Sequence, residues 1–588
     1  MLQEIIAYSE THLAKSEPGF KAREVRWLIE ISSDGRFLAA VPLGDGRRGK
    51  TMTHCPEMSG MNSGGKSHFL VETAQTGVQF YKNDEDPKNI AKSEIRHRFF
   101  VGLIREASRT VTRLEPLAVF LDNKERLAEV RQALSQNKAR PSDWIVWRID
   151  DFDPRENSEV QSWWRDWRRT DQAEGSTKPG RSEKSTEENT MTCFLTGNSI
   201  KPLATHPKIS GLSGVGGLAM GDVMVGFDKD SFGSYGLEQS ANSAMGEEAV
   251  QKYVDGLNDL IRNHTRKIGN ALVAHWYKDA IPTEDDPLSF LMDVDSQEQI
   301  EATARISVRR LLDAIRSGQR AQMGKNRYYA LTVSGAAGRV MVRDWMEGSF
   351  EDLVSRIDSW FSDLAIISRD GNGNARDPKF MAICGSLVRE LKDLPAPTAA
   401  TLWKVAIQGL PIPQPLMAQA LARFRAGLIA DEPFNHARMG LIKAYYFRRI
   451  PGGDATMTAS YNPNHPAPAY HCGGLLAVLA NLQRAALGDV GAGVIQRFYS
   501  AASQTPGLVF GRLVANARHH LAKLEPGLAW WHEERMMEIM SRLGDASPRI
   551  LDLEGQGLFA LGYYQKLAEL RAGIKSNKLD TDNKGEKK

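Results

Sequence analysis

The sequence has few cysteines: only Cys55, Cys193, Cys384 and Cys472 occur in 588 residues. They lie far apart and form no CxxC pair, so neither a disulfide framework nor a structural zinc knuckle is expected, and a reducing cytoplasm fits best. No apolar run approaches the roughly 18 residues that span a bilayer. The N-terminal stretch also lacks the apolar core of a signal peptide. The sequence therefore predicts a cytoplasmic protein that does not enter a membrane.

The chain also lacks an excess of charge of either sign. Lys and Arg total 75 against 72 Asp and Glu, which gives a net charge of +3. This balance neither requires nor excludes a nucleic-acid partner, because binding depends on where the charges cluster. Hydrophobic residues make up 41% and charged residues 25% of the chain, values that exclude bulk disorder. The length allows roughly two to four domains.

Motifs of catalysis and metal binding are scarce. The thirteen histidines include no HExxH pair, and the adjacent His519 and His520 diverge too far on a helix to hold one ion. No GxSxG motif marks a nucleophile. Residues 228–233 resemble the start of a calcium loop, but Phe232 occupies a ligand position. We therefore expect a protein without catalytic residues, metal or cofactor.

One motif keeps an enzyme as the alternative. Gly60–Ser67, GMNSGGKS, satisfies the P-loop pattern GxxxxGK[ST]. Lys66 would then reach the terminal phosphates, and Asp122, which follows a predicted apolar strand, would coordinate the metal ion. The segment before Gly60 is polar and contains Pro56, unlike the buried strand that precedes a P-loop. A nucleotide-binding enzyme built on Lys66 and Asp122 remains the second interpretation.

Hydrophobic periodicity predicts an α+β fold, with a mixed α/β N-terminal body followed by an all-α C-terminal bundle. The predicted parts are a lobe at 1–170, a polar linker or surface loop at 171–190, a second part of the body at 191–395, the bundle at 396–574 and a charged tail at 575–588. Strands are predicted within a hairpin at 23–44 and at 116–122, 143–151, 192–197, 223–228, 271–277 and 327–335.

The N-terminal body contains a candidate DNA-reading loop. Residues 44–68 are rich in Gly, Ser, Lys and Arg, a composition typical of an exposed loop. Glycines permit close backbone approach to a ligand, cations contact phosphates, and short polar side chains read base edges. The candidates for reading a short DNA sequence motif are Asn62, Ser63, Gly64, Gly65, Lys66 and Gln75. The candidates for contacts with the DNA backbone are Arg47, Arg48 and Lys50. An ordinary surface loop explains the same composition.

Further basic residues are candidates for contacts with the DNA backbone. In WWRDWRR (163–169) these are Arg165, Arg168 and Arg169, although a helix with core tryptophans and solvated arginines explains the string equally well. Arg305, Arg309, Arg316 and Arg320 could line a second helix. In the C-terminal helices the candidates are Arg484, Arg497, Arg512 and Lys523. Solvated helix faces need no nucleic acid to explain them.

Long strings resemble one family, the large subunit of the type I-C CRISPR Cascade surveillance complex. They include residues 193–217, 226–261, 267–277, 328–345, 471–489, 500–524 and 555–570. The string CFLTGNSIKPLATHPKISGLSGVGG begins the series, and GQGLFALGYYQKLAEL closes it. The resemblance spans nearly the whole chain in consistent order and is looser over the first 170 residues.

The resemblance implies a non-catalytic subunit of an RNA-guided complex. Its N-terminal part would recognise the protospacer-adjacent motif in double-stranded DNA and help unwind the target, and its C-terminal bundle would contact a separated strand in the R-loop. Its partners would be a crRNA-processing subunit, backbone filament subunits, small subunits and a helicase-nuclease. The small subunit would be translated internally from the same reading frame, and Met457 is one possible start.

Overall fold

The computed structural model describes residues 1–13, 17–44, 49–58, 65–82, 85–174, 190–292, 300–430, 432, 434–488, 490, 493–543 and 547–585. The chain divides into two compact units. Unit 1 comprises residues 1–209 and 223–259, and unit 2 comprises residues 210–222 and 260–588. The predicted α+β class is confirmed, because strands and helices mix in the N-terminal region and helices alone follow Phe380 in the described residues.

Unit 1 contains short strands and mostly amphipathic helices. Its strands are β1 (Phe20–Val25), β2 (Trp27–Ile31), β3 (Phe37–Pro42), β4 (Lys50–Pro56), β5 (Glu72–Thr73), β6 (Trp144–Ile149), β7 (Met191–Thr192) and β8 (Ser199–Ile200). Its helices are α1 (Leu2–His12), α2 (Ala74–Gly77), α3 (Pro87–Thr110), α4 (Glu115–Asp122), α5 (Lys124–Gln136), α6 (Ser158–Glu174) and most of α7 (Glu247–Asn263).

The predicted hairpin within residues 23–44 is confirmed as β2 and β3, which pair antiparallel with Ile29 opposite Ala40. The sheet order is β3-β2-β6-β5, and β2 runs parallel to β6 with Ile29 opposite Trp147. Strands β1 and β4 form a separate antiparallel ribbon. The fully buried Phe69, Phe100 and Trp164 contribute to the core of this unit.

The strand predicted at 116–122 is wrong, because these residues belong to helix α4. Pro116 occupies the first turn, where a helix has no use for its missing N–H. Leu117, Phe120 and Leu121 are buried, whereas Val119 is more than half exposed, which is helical rather than alternating burial. A short apolar run does not distinguish a strand from a buried helix.

Two further strand predictions in unit 1 are wrong. Within 192–197 only Thr192 pairs with another strand, because the chain turns at once: the N–H of Gly197 donates to the carbonyl of Cys193 at 2.9 Å, and Gly197 has a φ of +73°. Residues 223–228 form no extended strand. Both segments are apolar but sit in a Gly-rich region, where turns compete with strand pairing.

Unit 2 begins with an antiparallel sheet of order β12-β11-β10-β9. Its strands are β9 (Thr265–Ile268), β10 (Ala271–Tyr277), β11 (Arg327–Ala336) and β12 (Arg339–Ser349), which confirms the strands predicted at 271–277 and 327–335. The helices with it are α8 (Pro287–Met292), α9 (Ile300–Arg316), α10 (Ala321–Gly324), α11 (Phe350–Leu364) and α12 (Phe380–Leu387).

The helical bundle follows in the same unit. Its helices are α13 (Ala396–Gln408), α14 (Gln414–Ile429), α15 (His436–Phe447), α16 (Pro468–Leu487), α17 (Val494–Ala502), α18 (Pro506–Leu521), α19 (Pro526–Leu543) and α20 (Leu553–Gly585). Sheet and bundle share one hydrophobic core, which includes Tyr328, Trp360, Trp403 and Leu476. Helix α16 is central, because it packs against α17, α18, α19 and α20.

Helices α16 and α20 approach each other through glycines. A Cβ atom on Gly473 would lie 1.9 Å from the carbonyl oxygen of Phe559, and one on Gly562 would lie 2.0 Å from that of Tyr470. Both distances are far below van der Waals separation, so any side chain would push the helices apart. The spacing of these two helices therefore depends on glycine at both positions.

All four cysteines are buried free thiols. Burial raises the pKa of the Cys55 thiol to about 11 and that of Cys472 to about 12. Within the described residues no helix is long and apolar enough to cross a membrane. The same part of the chain contains no cluster of His, Cys, Asp and Glu suited to a metal ion.

Candidate nucleic-acid interface

The predicted DNA-reading loop is only partly within the described residues. Arg47, Arg48, Asn62, Ser63 and Gly64 lie outside them. The remaining candidates of this group are Lys50, Gly65, Lys66 and Gln75.

Two of these candidates sit at either side of the loop. Lys50 is exposed at the start of β4. Gln75 is half-buried on α2; its N–H donates to the carbonyl of Pro141 at 2.9 Å, and its carbonyl accepts from the Ser93 hydroxyl at 3.0 Å. The backbone of Gln75 is therefore tied to neighbouring segments.

The ends of the loop are joined at its base by His68. The backbone N–H of Met58 donates to His68 Nδ1 at 3.0 Å, and the N–H of His68 donates to a carboxylate oxygen of Glu72 at 2.9 Å. His68 and Glu72 are both buried. Met58 and His68, which flank the loop, are therefore held together at one point in unit 1.

Burial and nearby charges shift the pKa values of the residues at the base of the loop. Burial, with a smaller effect of the nearby Arg23 guanidinium, lowers the pKa of His68 to about 3. Arg23 lies 3.9 Å above the ring of Trp144 and donates to Glu57 at 2.7 Å. Burial raises the pKa of Glu72 above its ordinary value. At neutral pH the imidazole is thus uncharged and can accept the Met58 hydrogen bond.

Beyond this base, Gly65 and Lys66 contact helices of the body. Gly65 has a φ of +74°, a conformation that favours glycine, and a Cβ there would lie 2.5 Å from Ile95 on α3. The Lys66 ammonium donates to both carboxylate oxygens of Asp171 on α6 at 2.7 Å. Lys66 is about one-third exposed, so its charge is accessible although it is paired.

The geometry around Lys66 differs from that of a P-loop. The strand that precedes the motif, β4, belongs to the two-stranded ribbon and ends at Pro56. Residues 66–71, which would open a helix, are not helical. Asp122, predicted to follow a strand, ends helix α4 and pairs with Arg105 at 2.6 Å. In the described residues on either side of this motif, the buried strand that precedes a P-loop and the helix that follows it are therefore absent.

Helix α3 presents a basic ridge that the sequence analysis missed. Lys88, Lys92 and Arg96 are exposed and recur every fourth residue, so they lie along one side of the helix. Arg96 contributes to the lowered pKa of His68, which places its charge close to the base of the loop. The i, i+4 spacing in KNIAKSEIR was the signal that could have found this ridge.

The candidate arginines of α6 are largely engaged within unit 1. Arg168 is buried and its guanidinium pairs with Glu247, while Arg165 pairs with Glu17. Arg169 is exposed and pairs with Asp166 at 3.0 Å. A phosphate contact by Arg165 or Arg168 stays a prediction that requires these pairs to open.

The tryptophans of α6 are part of the core and its edge. Trp164 is fully buried and donates its indole N–H to the carbonyl of Gly19 at 2.8 Å. Trp167 stacks parallel to Trp164, with ring centroids 5.5 Å apart. Trp163 and Trp167 are only half-buried. The aromatic residues of this string therefore pack with one another, as the interpretation with core tryptophans expects.

The arginines of α9 and the turn after it each have an acidic neighbour. Arg305 lies 3.8 Å from Asp377, and Arg309 lies 3.6 Å from Asp358. The other two pairs are Arg316 with Glu351 and Arg320 with Asp285. The four candidate arginines are therefore paired with carboxylates.

The bundle has a distinctly basic side. Between Asp454 and Glu525 the sequence has one acidic residue, Asp489, and five basic ones, Arg484, Arg497, Arg512, Arg518 and Lys523. All five are exposed. The Arg512 guanidinium lies 5.9 Å from the ring centroid of Phe498 on α17, which brings the charges of α17 and α18 together.

The pKa of one histidine reflects the positive electrostatic potential on this side of the bundle. The pKa of His520 on α18 is lowered by burial and, beyond that, by the neighbouring charges of Lys523 and His519. Helix α19, by contrast, exposes Glu533, Glu534 and Glu538. The bundle therefore separates its charges, with the basic residues concentrated on α16 to α18. We call the exposed Arg484, Arg497, Arg512, Arg518 and Lys523 the bundle basic face.

Comparison with known proteins identifies the family. The family model of CRISPR-associated proteins named Cas_Csd1 matches residues 5–571, which is nearly the whole chain. No curated protein matches the chain significantly. The family match confirms the resemblance found in the long sequence strings and, with it, a component of a Cascade-type complex. The chain therefore belongs to the Cas_Csd1 family of CRISPR-associated proteins.

Proposed function

We propose that this chain is the non-catalytic large subunit of a type I-C Cascade complex. In that role it recognises the protospacer-adjacent motif in double-stranded DNA, helps to unwind the target and stabilises the R-loop. The observation that carries the proposal is the family match over residues 5–571. RNA-guided systems read the target by base pairing, so their protein needs only a short duplex reader and a basic path for the strands.

The charge distribution of each unit supports this division of work. In unit 1 the Gly-rich loop is anchored at His68, and the exposed cations Lys88, Lys92 and Arg96 lie on the adjacent helix. In unit 2 the bundle basic face provides five exposed cations, and the sequence of helix α18 contains no Asp or Glu. Cations that contact phosphates bind any sequence, whereas short polar loop residues give discrimination.

The proposed partners are a crRNA-processing subunit, backbone filament subunits, small subunits and a helicase-nuclease that the bound complex recruits. We assign motif reading to residues 62–66 with Gln75, and phosphate contacts to Arg47, Arg48 and Lys50. Residues 62–64 and the two arginines lie outside the described residues. Their assignment is made from their chemistry and from the fixed base of the loop.

Binding of the assembled complex to duplexes that differ only in the motif tests this function. Lys66→Ala should weaken binding to every duplex and reduce the slope of log affinity against log salt by about 0.9. Asn62→Ala should relax discrimination between motifs by roughly 1–3 kcal/mol. Arg309→Ala, which removes an exposed but carboxylate-paired cation, is the matched control. Unchanged discrimination after altering Asn62, Ser63 and Gln75 together would refute the loop assignment.

The absence of catalysis is a separate proposal with its own assay. The purified chain should show no ATP hydrolysis above that of Lys66→Ala and no thermal stabilisation by ATP with Mg²⁺. Turnover that disappears in Lys66→Ala would instead favour the nucleotide-binding alternative.

A further inference from the structure

A cavity in unit 1 has features that do not suit DNA. It lies between the C-terminal half of α3 and one side of α6, and it encloses about 740 Å³. That volume falls in the range of roughly 300–1,000 Å³ that is typical of ligand sites. Four carboxylates line it, those of Glu106, Glu159, Asp166 and Asp171, and none of its lining residues is Lys or Arg.

The wall of the cavity is aromatic and firmly held. Trp163 and Trp167 line it, with ring centroids 6.3 Å apart and ring planes inclined by 28°. Trp167 also stacks on the buried Trp164 and donates its indole N–H to Glu106 at 3.1 Å. Trp163 packs against the buried Phe69 at 5.0 Å. These rings are therefore preorganised to receive a ligand on their exposed sides.

The chain itself indicates which chemistry the rim accepts. The ammonium group of Lys66, from outside the two helices, binds both oxygens of Asp171. Indole faces attract Lys and Arg cations, and the gain is larger where the cation is partly desolvated. Carboxylates beside such faces add charge-assisted hydrogen bonds and repel phosphates. A guanidinium or alkylammonium group is the complementary ligand.

We propose that this cavity docks a lysine- or arginine-bearing segment of a neighbouring protein subunit. Arginine and tryptophan are enriched at the energetic centres of protein interfaces, where each fills a pocket of its partner. The acidic side of α6 therefore faces protein, and the nucleic acid contacts other surfaces. This inference goes beyond the proposed function, because it concerns assembly and does not depend on which loop reads the motif.

Photo-crosslinking in the assembled complex tests the location. The photoreactive amino acid p-benzoylphenylalanine replaces Ser162, which lines the cavity and is exposed. The expected product is an adduct with a Lys- or Arg-containing peptide of another subunit. The same amino acid at Ser317, an exposed residue of unit 2, is the control. Adducts only with crRNA or DNA, or no adduct from Ser162, would overturn the proposal.

Calorimetric titration of the full chain tests the chemistry. The probes are an acetylated tri-arginine peptide, a tri-glutamine peptide and spermidine. Tri-arginine should bind, and the double substitution Glu106→Gln with Glu159→Gln should weaken its binding at least ten-fold. Glutamine removes the charge but keeps an acceptor for the Trp167 indole N–H. Glu533→Gln with Glu534→Gln, on the exposed side of α19, should leave it unchanged. Equal binding by all forms, no binding, or binding of spermidine alone would overturn the assignment to a protein segment.

Discussion

Lys66 is held by a carboxylate in the free chain, and under the proposed function this pair would compete with DNA phosphates. The ammonium must leave Asp171 before it can bind a phosphate. Ion pairs of this partly exposed kind are worth about 0.2–1 kcal/mol. Asp171→Asn should therefore raise the affinity of the complex for DNA by up to about five-fold, in contrast to the weakening expected for Lys66→Ala.

A double-mutant cycle on the two residues checks this competition in gel-shift titrations. With alanine at position 66, Asp171→Asn should have no further effect of this kind. Asp34→Asn, which removes an exposed carboxylate of unit 1 paired with Arg36 and away from the cavity, is the matched control. An equal gain from Asp171→Asn with and without Lys66 would contradict the competition.

His68 makes the base of the loop sensitive to acid. Its pKa is about 3 in the folded chain against 6.5 for an unperturbed histidine, so the unfolded chain takes up a proton that the fold excludes. The stability due to neutral His68 is complete above pH 6.5 and declines as the pH falls from 6.5 towards 3. Between pH 7 and 5.5 the decrease is about 1 kcal/mol.

Thermal unfolding at pH 7 and pH 5.5 measures this effect. His68→Gln keeps a hydrogen-bond acceptor near the Met58 N–H but does not titrate, so its melting temperature should fall less on acidification than that of the natural chain. The buried Glu72 and the other histidines are present in both proteins and cancel in the comparison. Identical shifts would contradict the role assigned to His68.

At the residue scale, sequence reasoning identified which cations exist but not their partners. Nothing in WWRDWRR indicates that Arg168 is buried against Glu247, because the two residues meet only through folding. Lys66 and Asp171 are likewise brought together by the tertiary structure. The i, i+4 spacing of Lys88, Lys92 and Arg96 would have been sufficient to predict their ridge from the sequence.

At the scale of the elements, local pattern predicted the longer strands and most helices. Strand β10 has seven residues that largely alternate between buried and half-buried, and strand β11 has ten residues that are almost all buried. Both apolar patterns are long enough to be identified in the sequence. Helix α4 has eight residues, six of them in one apolar run, and its pattern fits either structure. The conformation of the Gly-rich stretches around β7 and β8 depends on turns and tertiary packing, which hydrophobic periodicity does not reveal.

The bundle basic face is an element-scale feature with a measurable consequence. Replacing Arg497, Arg512 and Lys523 with alanine should weaken binding of the complex to single-stranded DNA. The slope of log affinity against log salt should become shallower by about 0.7 for each cation that no longer neutralises a phosphate, hence by about 2 for the triple variant. Truncation of exposed side chains on and beside α17 and α18 should leave the fold intact, because none of the three is buried.

Matched substitutions on α9 provide the comparison. Arg309 and Arg316 are also exposed arginines, but both lie near carboxylates at 3.6 and 3.5 Å. Their replacement by alanine should change the salt slope little. If both sets of variants behave alike, the basic side of the bundle does not follow the strand.

At the scale of the whole molecule, unit 2 has a continuous core that a shorter product would interrupt. A chain that begins at Met457 retains α16 to α20 but lacks α14 and α15. Tyr446 donates to the carbonyl of Glu554 at 2.6 Å, and Phe434 packs against Tyr564 at 5.7 Å. These residues cover α20, and each aromatic side chain that becomes exposed forfeits about 1.5–3 kcal/mol.

A fragment of residues 457–588 should therefore melt at a lower temperature than one of residues 396–588. Circular dichroism of the two purified fragments measures the difference. Addition of the other Cascade subunits should raise the melting temperature of the shorter fragment if a partner covers the face left by α14 and α15. Equal melting temperatures of the two fragments alone would show that these helices contribute little.

The close glycine approach between α16 and α20 bears on the same question. Gly473 and Gly562 both come after Met457, so a protein that begins at Met457 would contain both of these close contacts. Both sides of this close helix contact thus belong to the part that would be made separately. Selection on those two positions would act on two products at once, and a single added methyl group would damage both.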